Sequence, residues 1–189
     1  MSQLLSPFAM LVKDSQQVRS FSLKGRKLEQ LPIDVSVFSQ LEQLDLSGNL
    51  LRKLPENLTK LKKLKRINLS ANFRMNWSQA IGVLSEIKSL EQLNISNNGL
   101  TQLPAELYHL DNLTNLVVDY NPLNVFADRN LMNLPSNLEK ISLNECNEGE
   151  IAIRLKNFDT LKSLKTNCYD YDFLQRIHFL LPNATVLVQ

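Results

Sequence analysis

Leu41-Glu42-Gln43-Leu44-Asp45-Leu46-Ser47-Gly48-Asn49-Leu50-Leu51 reads L-x-x-L-x-L-x-x-N-x-L and decides the fold. The pattern continues through Leu54-Pro55, Leu58 and Leu61, then restarts at Leu64 with Ile67, Leu69 and Asn72. A further copy starts at Leu90, with Leu93, Ile95, Asn98, Leu100, Leu103-Pro104, Leu107 and Leu110. Others start at Leu113, with Leu116, Val118, Asn121-Pro122 and Leu123, and at Leu138, with Ile141, Leu143 and Cys146. Weaker copies flank these. One holds Val18, Phe21, Leu23, Leu28 and Leu31-Pro32, with Arg26 in the asparagine's place; the other holds Leu161, Leu164 and Thr166. The seven starts are spaced 23, 23, 26, 23, 25 and 23 residues apart. Chance does not keep such a register, and a fixed period of this size marks a stacked array of supersecondary units.

The residue types explain the stacking. L-x-x-L-x-L alternates with period two, so each unit opens with a short strand whose alternate side chains are buried. A strand this short cannot hide its apolar face alone; neighbouring coils must cover it with a continuous aliphatic column. Asn49, Asn72, Asn98 and Asn121 fall where each strand bends into its turn. An amide side chain carries donors and an acceptor, so it can satisfy backbone groups freed at the bend, and stacking would line the amides into a ladder. Cys146 takes the same slot, where a small, weak S–H donor can substitute, and this structural role outweighs a catalytic or metal-binding one. Leu-Pro at positions 31–32, 54–55 and 103–104 stops the strand from running on and favours a bend or a first helical turn behind it. The unit from Leu64 departs from this: Phe73-Arg74-Met75-Asn76-Trp77 replaces Leu-Pro, and Ala80, Val83, Leu84 and Ile87 suggest a longer helix on the outer side. That insertion either forms a loop that serves binding or lets Trp77 plug a wider gap.

Terminal coils expose the aliphatic column and need closing. Residues 1–17, with Leu4, Leu5, Phe8, Leu11 and Val12, are expected to form a helical cap. Residues 18–170 hold about seven repeats. Residues 171–189 are expected to close the other end with a helix over Phe173–Leu181, stopped at Pro182, and a strand over Ala184–Val188. The N-terminal stretch lacks a positive leader region, Pro7 interrupts its apolar part and no small-residue cleavage site follows, so a helix is expected there rather than an export signal. No apolar run approaches the roughly 20 residues that span a bilayer. Two cysteines, Cys146 and Cys168, are too few for a disulfide framework, which suits a reducing compartment, although the two could also pair. A net charge of +2 gives no overall pull toward nucleic acid or membrane.

With these residues in view, the chain is similar to the leucine-rich repeat family, and its unit of about 23 residues resembles that of intracellular and bacterial members. The resemblance covers roughly residues 18–170. It implies an α/β solenoid, a right-handed horseshoe or arc with a parallel sheet on its concave side and short helices outside. It is specific for fold and unspecific for function. Counting from each start, the third, fifth and seventh positions should face outward on the concave side. From these, and the turn beyond them, a partner-binding site is expected around Arg66, Gln92, Asn94, Asn115, Val117, Asp119 and Tyr120, because Arg66, Val117 and Tyr120 are the nearest to interface anchors.

Other chemistry is sparse. Lys60, Lys62, Lys63, Lys65 and Arg66 form a basic run that could attract phosphate or an acidic partner but better suits a solvated turn between helix and strand. His109 and His178 both fall in outer or cap helices, and no metal-ligand spacing, phosphate loop or nucleophile elbow appears. Glu148 and Glu150 flank Gly149 in a turn. Asn-x-Ser/Thr triplets begin at Asn57, Asn68, Asn76, Asn94, Asn112 and Asn183; glycans at Asn68 and Asn94 would obstruct the concave face, which disfavours a eukaryotic secretory route. The expectation is a non-catalytic protein-interaction scaffold, cytoplasmic and bacterial, without cofactor or nucleic acid and with another protein as partner. The alternatives are an exported bacterial surface or effector protein and, less favoured, an enzyme with a pocket at the caps.

Overall fold

The structure, a computed structural model, describes residues 15–123, 134–144, 159–167, 169 and 171–188. Eight short strands form one sheet in sequence order: β1 (Ser20–Ser22), β2 (Gln43–Asp45), β3 (Arg66–Asn68), β4 (Gln92–Asn94), β5 (Asn115–Val117), β6 (Lys140–Ser142), β7 (Ser163–Thr166) and β8 (Thr185–Val188). Every pairing is parallel. The register places Ser20, Gln43, Arg66, Gln92, Asn115, Lys140, Ser163 and Thr185 side by side. Units of 23, 25 and 26 residues therefore present the same positions to the sheet, and the extra residues are absorbed outside it.

The aliphatic column is dry. In the coil from Leu41, the residues Leu41, Leu44, Leu46, Leu51, Leu54, Leu58 and Leu61 are all 2% exposed or less. Burying a leucine fully is worth roughly 2 kcal/mol, so each coil contributes its own share and passes a flat apolar face to the next. Behind the sheet the chain turns through short 3-10 helices at Val35–Val37, Glu56–Lys60 and Ala105–His109. Pro55 and Pro104 stand just before two of these with extended backbone (φ −72, ψ 142; φ −54, ψ 128). Their carbonyls accept from Leu58 and Leu107, so the proline stops the chain and still starts the turn. The first unit uses Asp34 instead, whose Oδ1 accepts from the Ser36 amide at 2.9 Å.

The unit from Leu64 builds a true α-helix, α1 (Trp77–Ser85), capped by Asn76, whose side chain accepts from Gln79 N. Ala80, Ile81, Val83 and Leu84 turn inward. Gln79 bonds both backbone groups of Leu54, at 3.0 and 2.7 Å, and fastens α1 to the coil before it. Met75 is buried and Trp77 packs half-buried on the core, so most of the insertion fills the interior. Phe73 alone among its apolar residues is left out, 60% exposed.

At the first coil Val35 and Phe38 are wholly buried, and the Phe38 ring meets Phe21 at 5.0 Å, giving that coil a larger end-plug than the leucine at the matching place in the next. The expected cap helix lies mostly in residues 1–14, outside the described residues, as do Cys146, Glu148, Gly149, Glu150 and Cys168. At the other end α2 (Tyr171–Leu180) buries Ile177, half-buries Leu174 and Leu180, and leads to β8.

Candidate functional site

Four polar rows cross the stacked coils, and they differ in how much of their bonding capacity is already used. The innermost is the asparagine row. Asn98 is 5% exposed; its Oδ1 accepts from Asn72 N at 2.6 Å, and its Nδ2 reaches the carbonyls of Leu69, Ile95 and Ser96 at 3.2, 2.8 and 3.1 Å. Asn121 repeats this toward Asn98 N, Leu100 N, Ile95 O and Val118 O. Asn72 and Asn49 do the same one and two coils before Asn98. Each amide thus satisfies the turn of its own coil and the turn of the one before, as a buried polar group must.

A second row binds coils on the opposite rim. From the fourth coil on, the residue just before the strand unit donates to a backbone carbonyl of the preceding coil: Ser89 to Leu64 O, Asn112 to Lys88 O, Asn137 to Asp111 O and Thr160 to Ser136 O, at 2.7–3.0 Å. The sequence reading missed this row, though a recurring short polar residue ahead of the starting leucine is its signal.

The third row is the fifth position, expected to point freely outward. Instead Asp45, Asn68 and Asn94 each fold a side-chain oxygen back onto the amide two residues on, at 2.9, 3.0 and 2.9 Å, closing a local turn. This roofs over the seventh position, so Ser47 and Ser96 are buried and Ser70 half-buried rather than outward-facing, and Asn144 is buried as well, by the route that follows. In β5 the fifth residue is Val117, which has no such oxygen. Asp119 reaches across to the next coil: its Oδ1 accepts from the Ser142 hydroxyl (2.7 Å) and the Asn144 amide (2.8 Å), and its Oδ2 from Asn144 Nδ2. Asp119 does for the sixth coil what Asp45 does for its own.

The fourth row, the third position, faces solvent. Gln43, Arg66 and Lys140 are exposed, Gln92 and Asn115 half-buried. Gln43, Arg66, Gln92 and Lys140 have no side-chain polar partner among the described residues, whereas Asn115 Oδ1 accepts from Thr114 Oγ1. An open groove of about 460 Å³ follows this row from Ser20 and Ser22, across Gln43 and Arg66, to Asn115 and Val117.

The structure therefore brings Arg66, Gln92, Asn94, Asn115 and Val117 together along the groove. Asp119 and Tyr120 lie in the turn beyond β5, with the Asp119 carboxylate held by the next coil. Tyr120 is 60% exposed at a left-handed backbone position (φ +57). The same place in other coils is Gly25, Gly48, Ala71 and Asn97, with φ between 52 and 67. The handedness belongs to the repeat, and Tyr120 is the bulkiest side chain found there. The basic run divides: Arg66 lies on the sheet, Lys63 donates to Gln40 at 2.6 Å, and Lys60 stands near enough to Asp34 to help hold that carboxyl below its usual range, after the larger effect of hydrogen bonding to Ser36. His109 is exposed with its ring 3.9 Å from Tyr108, and His178 is exposed on α2. Among the described residues no three metal-capable side chains gather, and no helix is long and apolar enough to cross a membrane.

A stacked parallel sheet with a buried asparagine column defines a leucine-rich repeat solenoid. The chain belongs to that family: the model of a leucine-rich repeat region matches residues 10–168. Members typically bind proteins and are generally non-catalytic scaffolds. Among solved structures the chain is similar to internalin C2 of Listeria monocytogenes, at 20% identity and a TM-score of 0.63 over 93% of this chain and 72% of that one. It is similar also to the human trophoblast glycoprotein, at 18% identity and a TM-score of 0.58 over 90% and 76%. A leucine-rich repeat protein of Leptospira interrogans matches at 19% identity and a TM-score of 0.51 over 95% of this chain and 56% of its own. At such identities the likeness is one of fold. Comparison with curated proteins by sequence finds no match.

Proposed function

We propose that the chain is a non-catalytic interaction module that takes a protein partner on its concave sheet. Arg66, Gln92, Asn115 and Val117 form the contact and Tyr120 stands at its border. The observation that carries this reading is the contrast among the polar rows. Three rows have their bonding groups turned onto the backbone or side chains of the same or neighbouring coils, while the third-position row offers Gln43, Arg66 and Gln92 without internal polar partners, over a continuous groove. Arginine and tyrosine are the side chains that most often anchor protein interfaces, and a rigid sheet presents them at little entropic cost. The test is affinity capture from the native organism with wild type and with a double variant, Arg66→Glu with Val117→Glu, followed by calorimetry on purified captured proteins. A partner bound by wild type and weakened on the order of tenfold or more by the variant supports the reading. Equal binding by both places the contact elsewhere.

A further inference from the structure

The rim where the strands exit carries a charge pattern that neither the repeat motif nor the concave groove explains. Arg26 and Lys27 lie in the turn after β1, and Arg52, Lys53 and Arg74 lie in the matching turns of the second and third coils. Backbone bonds from Leu50 to Leu28, from Arg52 to Glu29 and from Asn76 to Arg52 lace these turns together. The five cations therefore share one edge, and all are exposed. Among the described residues Glu29 is the single carboxylate between them. It meets Arg52 Nε and Arg74 Nη1 at 3.5 Å each, with all three side chains more than half exposed. One carboxylate against five cations leaves the rim with a net positive charge, and loose, solvated pairs of this kind hold it only weakly in place. The side chains of Arg26, Lys27 and Lys53 have no polar partner among the described residues. Lys27 sits at a left-handed backbone position (φ +55) that the fourth coil gives to glycine, Gly99 (φ +69).

Beside Arg74 stands Phe73, the one apolar residue of the insertion left outside. A Cβ placed on Gly99 would come within 4.0 Å of Phe73 Cδ1, so the ring lies over the neighbouring turn rather than in the core. The opposite rim is different. There Lys65 stands in the row between Glu42 and Glu91 and Lys88 pairs with Asp111, so carboxylates interleave its cations; Lys63 is bonded to the neutral Gln40 and Lys62 has no side-chain polar partner among the described residues.

We propose that the strand-exit rim of the first three coils docks an acidic protein surface, with the cations supplying the complementary field and Phe73 an apolar anchor. Clustered cations steer an anionic partner and set its orientation, and an aromatic beside arginines is the usual composition of an interface anchor. A single-stranded nucleic acid is the poorer fit, because it calls for successive stacking platforms and the rim has one. This docking edge does not rest on the concave-sheet reading, since a partner held by the sheet alone would not respond to rim charge.

The test titrates the isotopically labelled full chain with an oligoglutamate peptide bearing a central leucine. An oligonucleotide of equal charge and phosphatidylserine vesicles serve as parallel probes. Amide shifts centred on Arg26, Arg52 and Arg74 are expected. Arg52→Gln with Lys53→Gln should lower peptide affinity on the order of tenfold, and Lys62→Gln with Lys63→Gln should leave it within about twofold. Phe73→Ala should weaken the leucine-bearing peptide and leave plain oligoglutamate unchanged. Should the first pair fail to fold by its thermal transition, Arg26→Gln with Lys27→Gln replaces it with the same expectation. Equal losses from the two rims, shifts centred on Lys62 and Lys63, tighter binding of the oligonucleotide or the vesicles, or no binding of the peptide would each overturn the proposal.

Discussion

Asn98 and Gln92 belong to the same coil, six residues apart, and carry the same functional group at the end of the side chain. One is 5% exposed and bonded to four backbone groups of its own and the neighbouring coil; the other stands half-buried at the groove with no internal polar partner. The difference lies in which side of the strand the position falls on and how far past the strand's end it lies, not in chemistry. In a solenoid that difference repeats in every coil. Whole rows are assigned either to holding coils together or to facing whatever approaches.

The largest effect should come from breaking the inner row. Asn98→Ala strips Asn72 N of its acceptor and three carbonyls of a donor in a site without room for bulk water. A loss of roughly 1–3 kcal/mol is expected. At about 2–4 °C per kcal/mol for a chain of this size, calorimetry should show a clear drop in Tm. Gln92→Ala should change stability by less than about 0.5 kcal/mol, as surface substitutions usually do. Equal Tm for the two variants would erase the distinction between the rows.

A smaller effect should come from Asp119, which tests whether the outer rows can also hold structure. Asp119→Ala frees the Ser142 hydroxyl and the Asn144 amide of their acceptor at the junction of the fifth and sixth coils. We expect a loss of roughly 1–2 kcal/mol, because the bonds are charge-assisted yet only partly buried. Hydrogen exchange should show that the protection lost is concentrated in β6, since coils contact mainly their neighbours. An unchanged exchange rate at Asn144 would return Asp119 to the freely exposed set.

How much of this was legible in the sequence follows the same division. The strands, their register and the asparagine column follow from side-chain chemistry that recurs at fixed spacing, and the structure places them where that spacing does. The convex helix of the unit from Leu64 was legible from Ala80, Val83, Leu84 and Ile87. The left-handed turn at Gly25, Gly48, Ala71, Asn97 and Tyr120 was not, because these residues share a backbone conformation and no side-chain property. The folding-back of Asp45, Asn68 and Asn94 was missed for another reason. A polar residue at an outward position looks the same in a sequence whether its oxygen faces solvent or its own backbone two residues on. Asp119 is harder still, since its role depends on Val117 in its own coil and Ser142 in the next.

Tyr120 gives the comparison its opposite sign. A non-glycine residue in the left-handed region costs roughly 1–2 kcal/mol, and replacing it by glycine returns part of this while loosening the unfolded chain. Tyr120→Gly should therefore raise stability by about 0.5 kcal/mol. If Tyr120 borders the binding face as proposed, the same variant should weaken partner capture. A variant that is more stable and binds less well would mark the position as one kept for contact; a variant that is less stable would show the ring packing against its surroundings.

The smallest effect lies on the convex side, in one exposed bond between the third and fourth coils. The Ser78 hydroxyl at the start of α1 donates to Glu106 Oε1 at 2.6 Å, and this bond, ahead of any charge effect, holds the Glu106 carboxyl below its ordinary range. A carboxyl whose pKa is lowered on folding adds stability above the pKa it has when unfolded, and that increment fades as pH falls through the lower folded value. Wild type and Ser78→Ala should thus differ slightly in Tm at about pH 6 and converge toward about pH 3. The group is largely solvated, so the gap should be a small fraction of that seen for Asn98→Ala. Asp34, held low chiefly by Ser36, titrates in both proteins alike and cancels from the difference. A gap that widens on acidification would show that Ser78 stabilises α1 by some route other than Glu106.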